Sequence, residues 1–559
     1  MRWNIPRIAA ALVTTSLLLC GQSYAQERLI ENYNEPKHIM FMTTFGGSSH
    51  VSWVLSILDE LSKRGHKITY VTREFQAKHA KSYPHFNTVI LDGTPTHMEK
   101  AFALKHTAIL DAAGDLLHSG YKDLQTDYPA LRNMIQTQNV SVALCGFATA
   151  PGCYEAAKDS NIPYIITASY AAFPDASAAY INNHLLTMKN PTTLGLSFIQ
   201  RFYDMFVVPI TGYIRMKPVG DWVNKMRRLS GCSVTNHEYE PWTHMNNLKL
   251  VNSLFGIEAA RPLGPLIEMV GPIMQRQYNP LTPDLKEYLD AHSRVLYIAF
   301  GQHAVANVKD LEYILTGIME SIENGTYGGF LWASRKGPEA FPKEIKTKSG
   351  KIYSVQDMFR GHYSNLRFAT WVPQTAVVMH PSVNVFLTHG GAGSMYEGLY
   401  AGKRFIVFPF YGDQFLNAQN VKSKGLGEYL NPEISQEEAN RMIDAVGRDS
   451  DGKFQSNVNR YKALVQIHSK NGPLRGADIV EEVLFVNSNS YLPHRYEDAR
   501  QMSFIKSHNL DLIAAALAII AASFYVSVTV TKKMVKRFLT RIWARHLPDD
   551  TKTFKLKAT

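Results

Sequence analysis

From Lys37 onward, short runs that are apolar throughout alternate with longer amphipathic ones. HIMFMTTF, a glycine-bearing stretch, VSWVLSILDELSKRG and KITYVT read as strand, loop, helix and strand, a βαβ unit that opens a parallel sheet. The rhythm continues through VSVALCGF, a helix near Tyr154 to Lys158, and IPYIITAS. It restarts at Arg294, where VLYIAFG is a buried strand ending in glycine, followed by helical KDLEYILTGIMESIENG and the strand GFLWAS. Between the two halves GPIMQRQYNPLTP is rich in proline and polar residues and reads as an interdomain linker. The segment Leu194 to Met216 is apolar with Arg201, Asp204 and Arg215 spaced along it, which suits a helix on a membrane surface or over an apolar cleft, or else a core helix.

The two ends follow other patterns. Arg2 and Arg7 precede an apolar run from Ile8 to Cys20, and Ser23-Tyr24-Ala25 offers small residues for cleavage, so a signal peptide is predicted. Leu512 to Val530 carries no charge and, at ~1.5 Å per residue, is about as long as a hydrocarbon core is thick. Lys532, Lys533, Lys536 and Arg537 follow at once, which by the positive-inside rule puts the tail in the cytosol and most of the chain in the lumen. Lys555 and Lys557, fifth and third from the end, resemble a dilysine retrieval signal of endoplasmic reticulum membrane proteins.

Composition narrows the classes. With 559 residues, 45% hydrophobic and 19% charged, the chain can bury more than one core and is neither disordered nor collagen-like. Of its net charge of +11, the stretch from Thr531 onward holds +7 and the first 25 residues +2; the +2 left for everything between is no footprint for nucleic acid. Outside the signal peptide Cys145, Cys153 and Cys232 allow one bridge at most, and no Cys/His cluster has zinc spacing. Asn139-Val-Ser141 and Asn324-Gly-Thr326 are candidate glycosylation sequons.

The candidate chemistry concentrates between Trp371 and Gln419. Val383 to Thr388 is a predicted strand, His389-Gly390-Gly391-Ala392-Gly393-Ser394 a turn, and Met395 to Ala401 the start of a helix. Bare amides at the positive end of a helix dipole form an anion site. The spacing matches neither the dinucleotide fingerprint nor a Walker motif. Glu397, one turn into the helix, can accept hydrogen bonds from two ribose hydroxyls.

This segment, the export signal, the stretch RGADIVEEVLF to FIKSHNLDLI, the anchor and the basic tail together resemble the membrane-anchored UDP-glycosyltransferases of glycosyltransferase family 1, the UDP-glucuronosyltransferase and UDP-glucosyltransferase group. The resemblance implies a GT-B type α/β fold, two Rossmann-like domains facing across a cleft, plus a C-terminal transmembrane helix. The implied organisation is a signal peptide (1–25), an acceptor-binding domain (26–272), a linker (273–283), a UDP-sugar-binding domain with a closing helix (284–500), a transmembrane helix (512–530) and a basic cytosolic tail (531–559). It further implies that Trp371 stacks on uracil, that Gln374 bonds its edge or the ribose, and that His389 with the amides of Gly391, Gly393 and Ser394 holds the pyrophosphate. Glu397 would hold the ribose, and Asp413 and Gln414 the sugar hydroxyls.

His50 follows the first strand in Gly46-Gly47-Ser48-Ser49-His50, and imidazole, with a pKa near ~6.5, suits proton abstraction at neutral pH. By resemblance it is the general base of an inverting transfer from a UDP-sugar to a hydroxyl of a lipophilic acceptor. His66 reads as a turn residue. Three positions depart from the family pattern. Ala143-Leu144-Cys145-Gly146-Phe147 lacks the aspartate that orients the base, with Asp175 or Glu155 as possible substitutes; Gly393 stands where asparagine is common; and Gly301-Gln302-His303 replaces Gly-Ser. The missing aspartate motivates a second expectation, a non-catalytic UDP-sugar-binding member or partner subunit. Expected partners are a UDP-sugar donor, a lipophilic hydroxylated acceptor and membrane lipid, with a homo- or hetero-oligomer open and no cofactor or metal.

Overall fold

A computed structural model describes residues 33, 35–44, 46–93, 109–170, 193–234, 246–301, 304, 306–488 and 492–546. The predicted signal peptide, Asp175, Gln302 with His303, and the tail lysines Lys555 and Lys557 lie outside these residues.

The first half is built on seven strands: β1 (His38–Met42), β2 (Lys67–Thr72), β3 (Asn87–Ile90), β4 (Val142–Gly146), β5 (Tyr164–Ala168), β6 (Lys249–Val251) and β7 (Ile267–Met269). All pair in parallel, in the order β3-β2-β1-β4-β5-β6-β7. The apolar run of β1 explains its place at the centre. Ile39 and Phe41 enter the core on one face, Met40 and Met42 the core on the other, and all four are fully buried. The second half repeats the plan with β8 (Val295–Ala299), β9 (Gly329–Ala333), a small antiparallel hairpin of β10 (Glu344–Lys346) and β11 (Ile352–Ser354), and then β12 (Leu366–Ala369), β13 (Val383–Thr388), β14 (Arg404–Val407) and β15 (Gly427–Tyr429). Its six-stranded parallel sheet runs β12-β9-β8-β13-β14-β15. Together these are the two Rossmann-like α/β domains of a GT-B fold.

In each sheet the strand order reverses direction at one point, between β1 and β4 in the first and between β8 and β13 in the second. Helices diverge to opposite faces there and open a crevice beyond the strand ends, where ligands of such folds bind. His50 follows β1, and His389 follows β13.

The 34-residue helix Lys453–Val486 crosses between the halves. Val458 and Val465 join the core of the second sheet, whereas Ala477, Ile479, Val480 and Val483 join that of the first. Glu481, buried at 3% exposure, fixes this return: it accepts from Arg64 (2.6 Å) and Tyr33 (3.2 Å) and meets His66 Nε2 at 3.1 Å. His66 is therefore more than a turn residue; its other ring nitrogen takes the Lys37 amide at 3.1 Å, so it buckles the start of β1 to the crossing helix.

The segment Leu194 to Met216 is not core. It is helical from Phe198 and continues to Leu229, through a π-helical turn at Tyr203–Val207, and Phe198, Ile199, Met205, Ile210 and Ile214 stay more than 60% exposed. The later part of the helix, at Val223 and Arg227, packs into the first half. At the other end Leu510–His546 forms one helix, long and apolar enough over part of its length to cross a membrane.

Candidate active site

In the first half, β1 runs out at Met42 and the helix Ser48–Lys63 begins after five intervening residues, with Gly47 as its N-cap in an extended conformation. Gly46 takes φ +105°, open to glycine without strain. A Cβ there would sit 2.8 Å from Cδ2 of His50, so the ring lies directly over the Gly46 backbone. The turn is tied down from outside: Gln76, buried, donates to the Gly46 carbonyl at 2.5 Å, and Ser169 donates to the Ser49 carbonyl at 3.0 Å. His50 itself is half-buried on the first turn of its helix.

The end of β4, beside β1 in the sheet, carries no carboxylate. Cys145 is joined to Cys153 by a disulfide, while Cys232 is a buried free thiol. The polar groups between the strand ends are hydroxyls: Thr43 Oγ1 donates to Thr149 Oγ1 at 3.0 Å, and Thr44 Oγ1 donates to the Thr149 carbonyl at 2.6 Å. Glu155 is committed elsewhere. It is 2% exposed and paired to Arg227, whose Nε is 2.6 Å from Oε1.

In the second half the helix that follows β13 starts at Ala392, three residues before the predicted Met395. Gly391 is its extended N-cap, so Gly393 and Ser394 belong to the first helical turn. Small side chains allow that early start. The first amide to bond within the helix is that of Met395, to the Gly391 carbonyl at 3.0 Å, and those before it point out of the helix end. No side chain caps this end and no acid lies in its first turn, so it keeps its affinity for an anion. His389 is clamped between glycines. A Cβ on Gly301 would come within 2.9 Å of its Cε1 and one on Gly391 within 2.4 Å of its Nε2. Gly393, by contrast, has room: a Cβ there would meet only Ser49 Cβ, at 3.7 Å. That proximity spans the two halves and places the His50 turn beside the anion-binding helix end.

Around this end the remaining predicted residues divide. Trp371, in the loop after β12, is 65% exposed and offers a free aromatic face. Gln374 opens the helix Gln374–Met379 and donates to Ser394 Oγ at 3.0 Å and Glu397 Oε2 at 2.5 Å, while its own oxygen accepts from Tyr297 at 3.2 Å. Thr375 donates to the other oxygen of Glu397 at 2.5 Å. Burial raises the Glu397 carboxyl above the usual range, against the lowering effect of these two bonds. Each carboxylate oxygen thus has one protein partner and keeps acceptor capacity for another. Asp413 stands just before the helix Gln414–Ser423 without capping it and accepts from Asn417 at 3.3 Å; burial, aided by the negative charge of Glu258, pushes its carboxyl up to about 6. Gln414 is turned inward: its oxygen accepts from the Phe410 and Tyr411 amides at 2.9 and 3.2 Å, a structural role beside the one the resemblance gives it.

Two parallel sheets with facing switch points, one carrying a histidine and the other an uncapped helix end, lead to a comparison with known proteins. Residues 177–543 match the family model described as UDP-glucoronosyl and UDP-glucosyl transferase. The chain belongs to that family. It is 30% identical over 314 residues to a UDP-glycosyltransferase of Talaromyces amestolkiae, an alignment covering 53% of this chain and 58% of that one. It is 26% identical to UDP-glycosyltransferase 1 of Phaeomoniella chlamydospora, over 73% of this chain and 83% of that protein. Among solved structures, the glycotransferase of kitacinnamycin superposes with a TM-score of 0.56 at 18% identity, covering 80% of this chain and 99% of the other, a likeness of fold.

Several supporting residues of the site carry no signal of their own in the sequence. Thr375 was adjacent to a named residue and could have been found as a second donor on the same helix turn. Tyr297, Gln76, Ser169 and Glu258 carry no local motif, since each acts on a partner far along the chain.

Proposed function

We propose that the protein transfers a hexosyl or hexuronosyl group from a UDP-sugar to a hydroxyl of a lipophilic small molecule, with inversion at the anomeric carbon. The observation that carries this reading is the approach of the His50 turn to the helix end at Gly393, across 3.7 Å between Ser49 Cβ and the Cβ position of Gly393. A diphosphate on the Gly391–Ser394 amides brings its sugar between the halves, in reach of a hydroxyl held near His50. His50 takes the hydroxyl proton, the oxygen attacks the anomeric carbon, and UDP leaves from the opposite face with its charge met by the helix end and His389. Trp371 stacks on uracil, Gln374 and Glu397 hold the nucleoside, and Asp413 with the Gln414 amide binds the sugar. No metal is needed in this reading. The exposed apolar helix from Phe198, together with the C-terminal apolar helix, supports acceptors that partition into lipid.

The membrane span of Leu512 to Val530, a cleaved signal peptide, a lumenal catalytic part and residence in the endoplasmic reticulum belong to the same reading. Both sequon asparagines, Asn139 and Asn324, are exposed, which fits lumenal glycosylation. One observation favours a second reading, a UDP-sugar-binding member without turnover: Glu155 is locked to Arg227 and the β4 end offers hydroxyls in place of a carboxylate. The test is turnover of the purified full chain with UDP-glucose and UDP-glucuronic acid across sterols, phenols and sphingoid lipids, beside His50→Ala. The enzyme reading expects His50→Ala to lose ~10²–10⁴-fold in kcat with UDP affinity kept. Binding of UDP with no product on any acceptor selects the second reading.

A further inference from the structure

We infer that the last turns of the C-terminal helix, Lys532 to Arg545, form a second lipid-binding element that lies along the anionic headgroups of the leaflet where the membrane span ends. The helix runs unbroken from Leu510 to His546, well past the apolar stretch that ends at Val530. Beyond it the sequence is amphipathic. At ~100° per residue, Phe538, Ile542, Val535, Leu539 and Trp543 fall within an arc of about 140°; Lys533, Arg537 and Arg541 lie on the other side with Met534, and Arg545 borders the arc beside Phe538. Lys536 borders this stripe beside Trp543 and Lys532 falls within its first turn; both line the same shallow groove as Val535, Leu539 and Trp543, so their stems lie on apolar surface and their heads are in reach of phosphate.

Charge and continuity select the occupant. Six cations and no acid occur between Thr531 and His546, so the partner is anionic. Val535, Phe538, Leu539 and Trp543 are each more than half exposed, so it is also apolar at depth. A membrane with acidic headgroups meets both demands and is already at hand if the preceding stretch spans it; the inference rests on that reading. A helix continuing straight from the span would hold the stripe in water. A bend just past the span would lay it on the headgroups, and the sequence there favours one. Val526, Val528, Thr529, Val530 and Thr531 are β-branched, and the Thr529 and Thr531 hydroxyls donate to the carbonyls four residues back, of Tyr525 and Ser527, each at 2.8 Å, a bonding pattern that bends helices.

Nitroxide labels on the full-length protein test this, placed singly at Ile519→Cys, Phe538→Cys and Arg541→Cys and reconstituted into vesicles of phosphatidylcholine alone or with phosphatidylserine. Collisions with oxygen and with a water-soluble nickel complex report depth. With phosphatidylserine the label at 538 should lose nickel accessibility while that at 541 keeps it, and the loss at 538 should vanish in phosphatidylcholine alone and in Arg537→Gln/Arg541→Gln/Arg545→Gln carrying the 538 label. Equal nickel access at 538 in both vesicles overturns the inference, as does equal burial of 538 and 541 in both, which would mean only a longer span. If the label at 519 is open to nickel, the span reading itself fails and the inference with it, an outcome distinct from failure at 538 alone.

Discussion

Replacing Asp413 by asparagine should make the protein more stable at neutral pH and a poorer transferase. Burial is the largest cause of the rise of this carboxyl from 3.8 to about 6, with Glu258 adding to it. Because the folded value lies above the unfolded one, the folded state holds the extra proton between them. The group's contribution to stability is therefore greatest below about pH 4 and falls as pH rises through 6. At pH 7.5 the ionised carboxylate costs the fold about 1–3 kcal/mol, taking ~1.4 kcal/mol per unit and discounting for the part of the group that water still reaches. Asparagine keeps an acceptor for Asn417 and carries no charge, so it removes that cost. Apparent Tm at pH 7.5 should rise by several degrees, at roughly 2–4 °C per kcal/mol for a domain of this size, and the gain should shrink towards zero near pH 4. Donor use should suffer, since an anionic acceptor for a sugar hydroxyl is worth about 1.5–3 kcal/mol, or ~10–100-fold in kcat/KM. Thermal unfolding at the two pH values, alongside turnover, reads both effects. A lower Tm at pH 7.5, or an equal gain at pH 4, would refute the reasoning.

Two further outcomes follow from the same geometry. Gly391→Ala should weaken UDP binding at least ~10-fold by calorimetry, because its Cβ would fall 2.4 Å from His389 Nε2, while Gly393→Ala, with 3.7 Å to its nearest neighbour, should stay within about threefold of wild type. Glu155→Gln should destabilise the fold by about 3–5 kcal/mol in denaturant, since it leaves Arg227 buried and uncompensated, yet the pH profile of turnover by the folded fraction should not move; a shifted profile would make Glu155 a positioning residue for the base after all.

Much of the fold was legible because a strand buried on both faces reads as a nearly continuous apolar run, as β1, β4 and β8 do, while β2 and β13 keep an apolar core broken only by Lys67, Asn384 and threonines. The anion site was legible for a similar reason: a close approach to phosphate requires glycine and small residues, and these are consecutive. What stayed hidden depends on distance along the chain. Glu481 meets His66 across 415 residues, so nothing near His66 reveals that it is buried in a clamp. Glu155 looked available to the base because the sequence gives no sign of Arg227, 72 residues on. The helix at Ala392 began earlier than predicted because the small residues of the turn were read as loop formers, whereas at a helix N-terminus they are also what leaves the amides open to a ligand.

Uridine diphosphate at the β8–β13 switch point is tested most directly by a crystal structure, soaked with UDP, of the chain that precedes the C-terminal apolar helix. Density for the diphosphate against the Gly391–Ser394 amides, with uracil on Trp371 and the ribose hydroxyls at Glu397, is the expected result. UDP bound elsewhere, or excluded while Glu397 keeps only its contacts to Gln374 and Thr375, would contradict it.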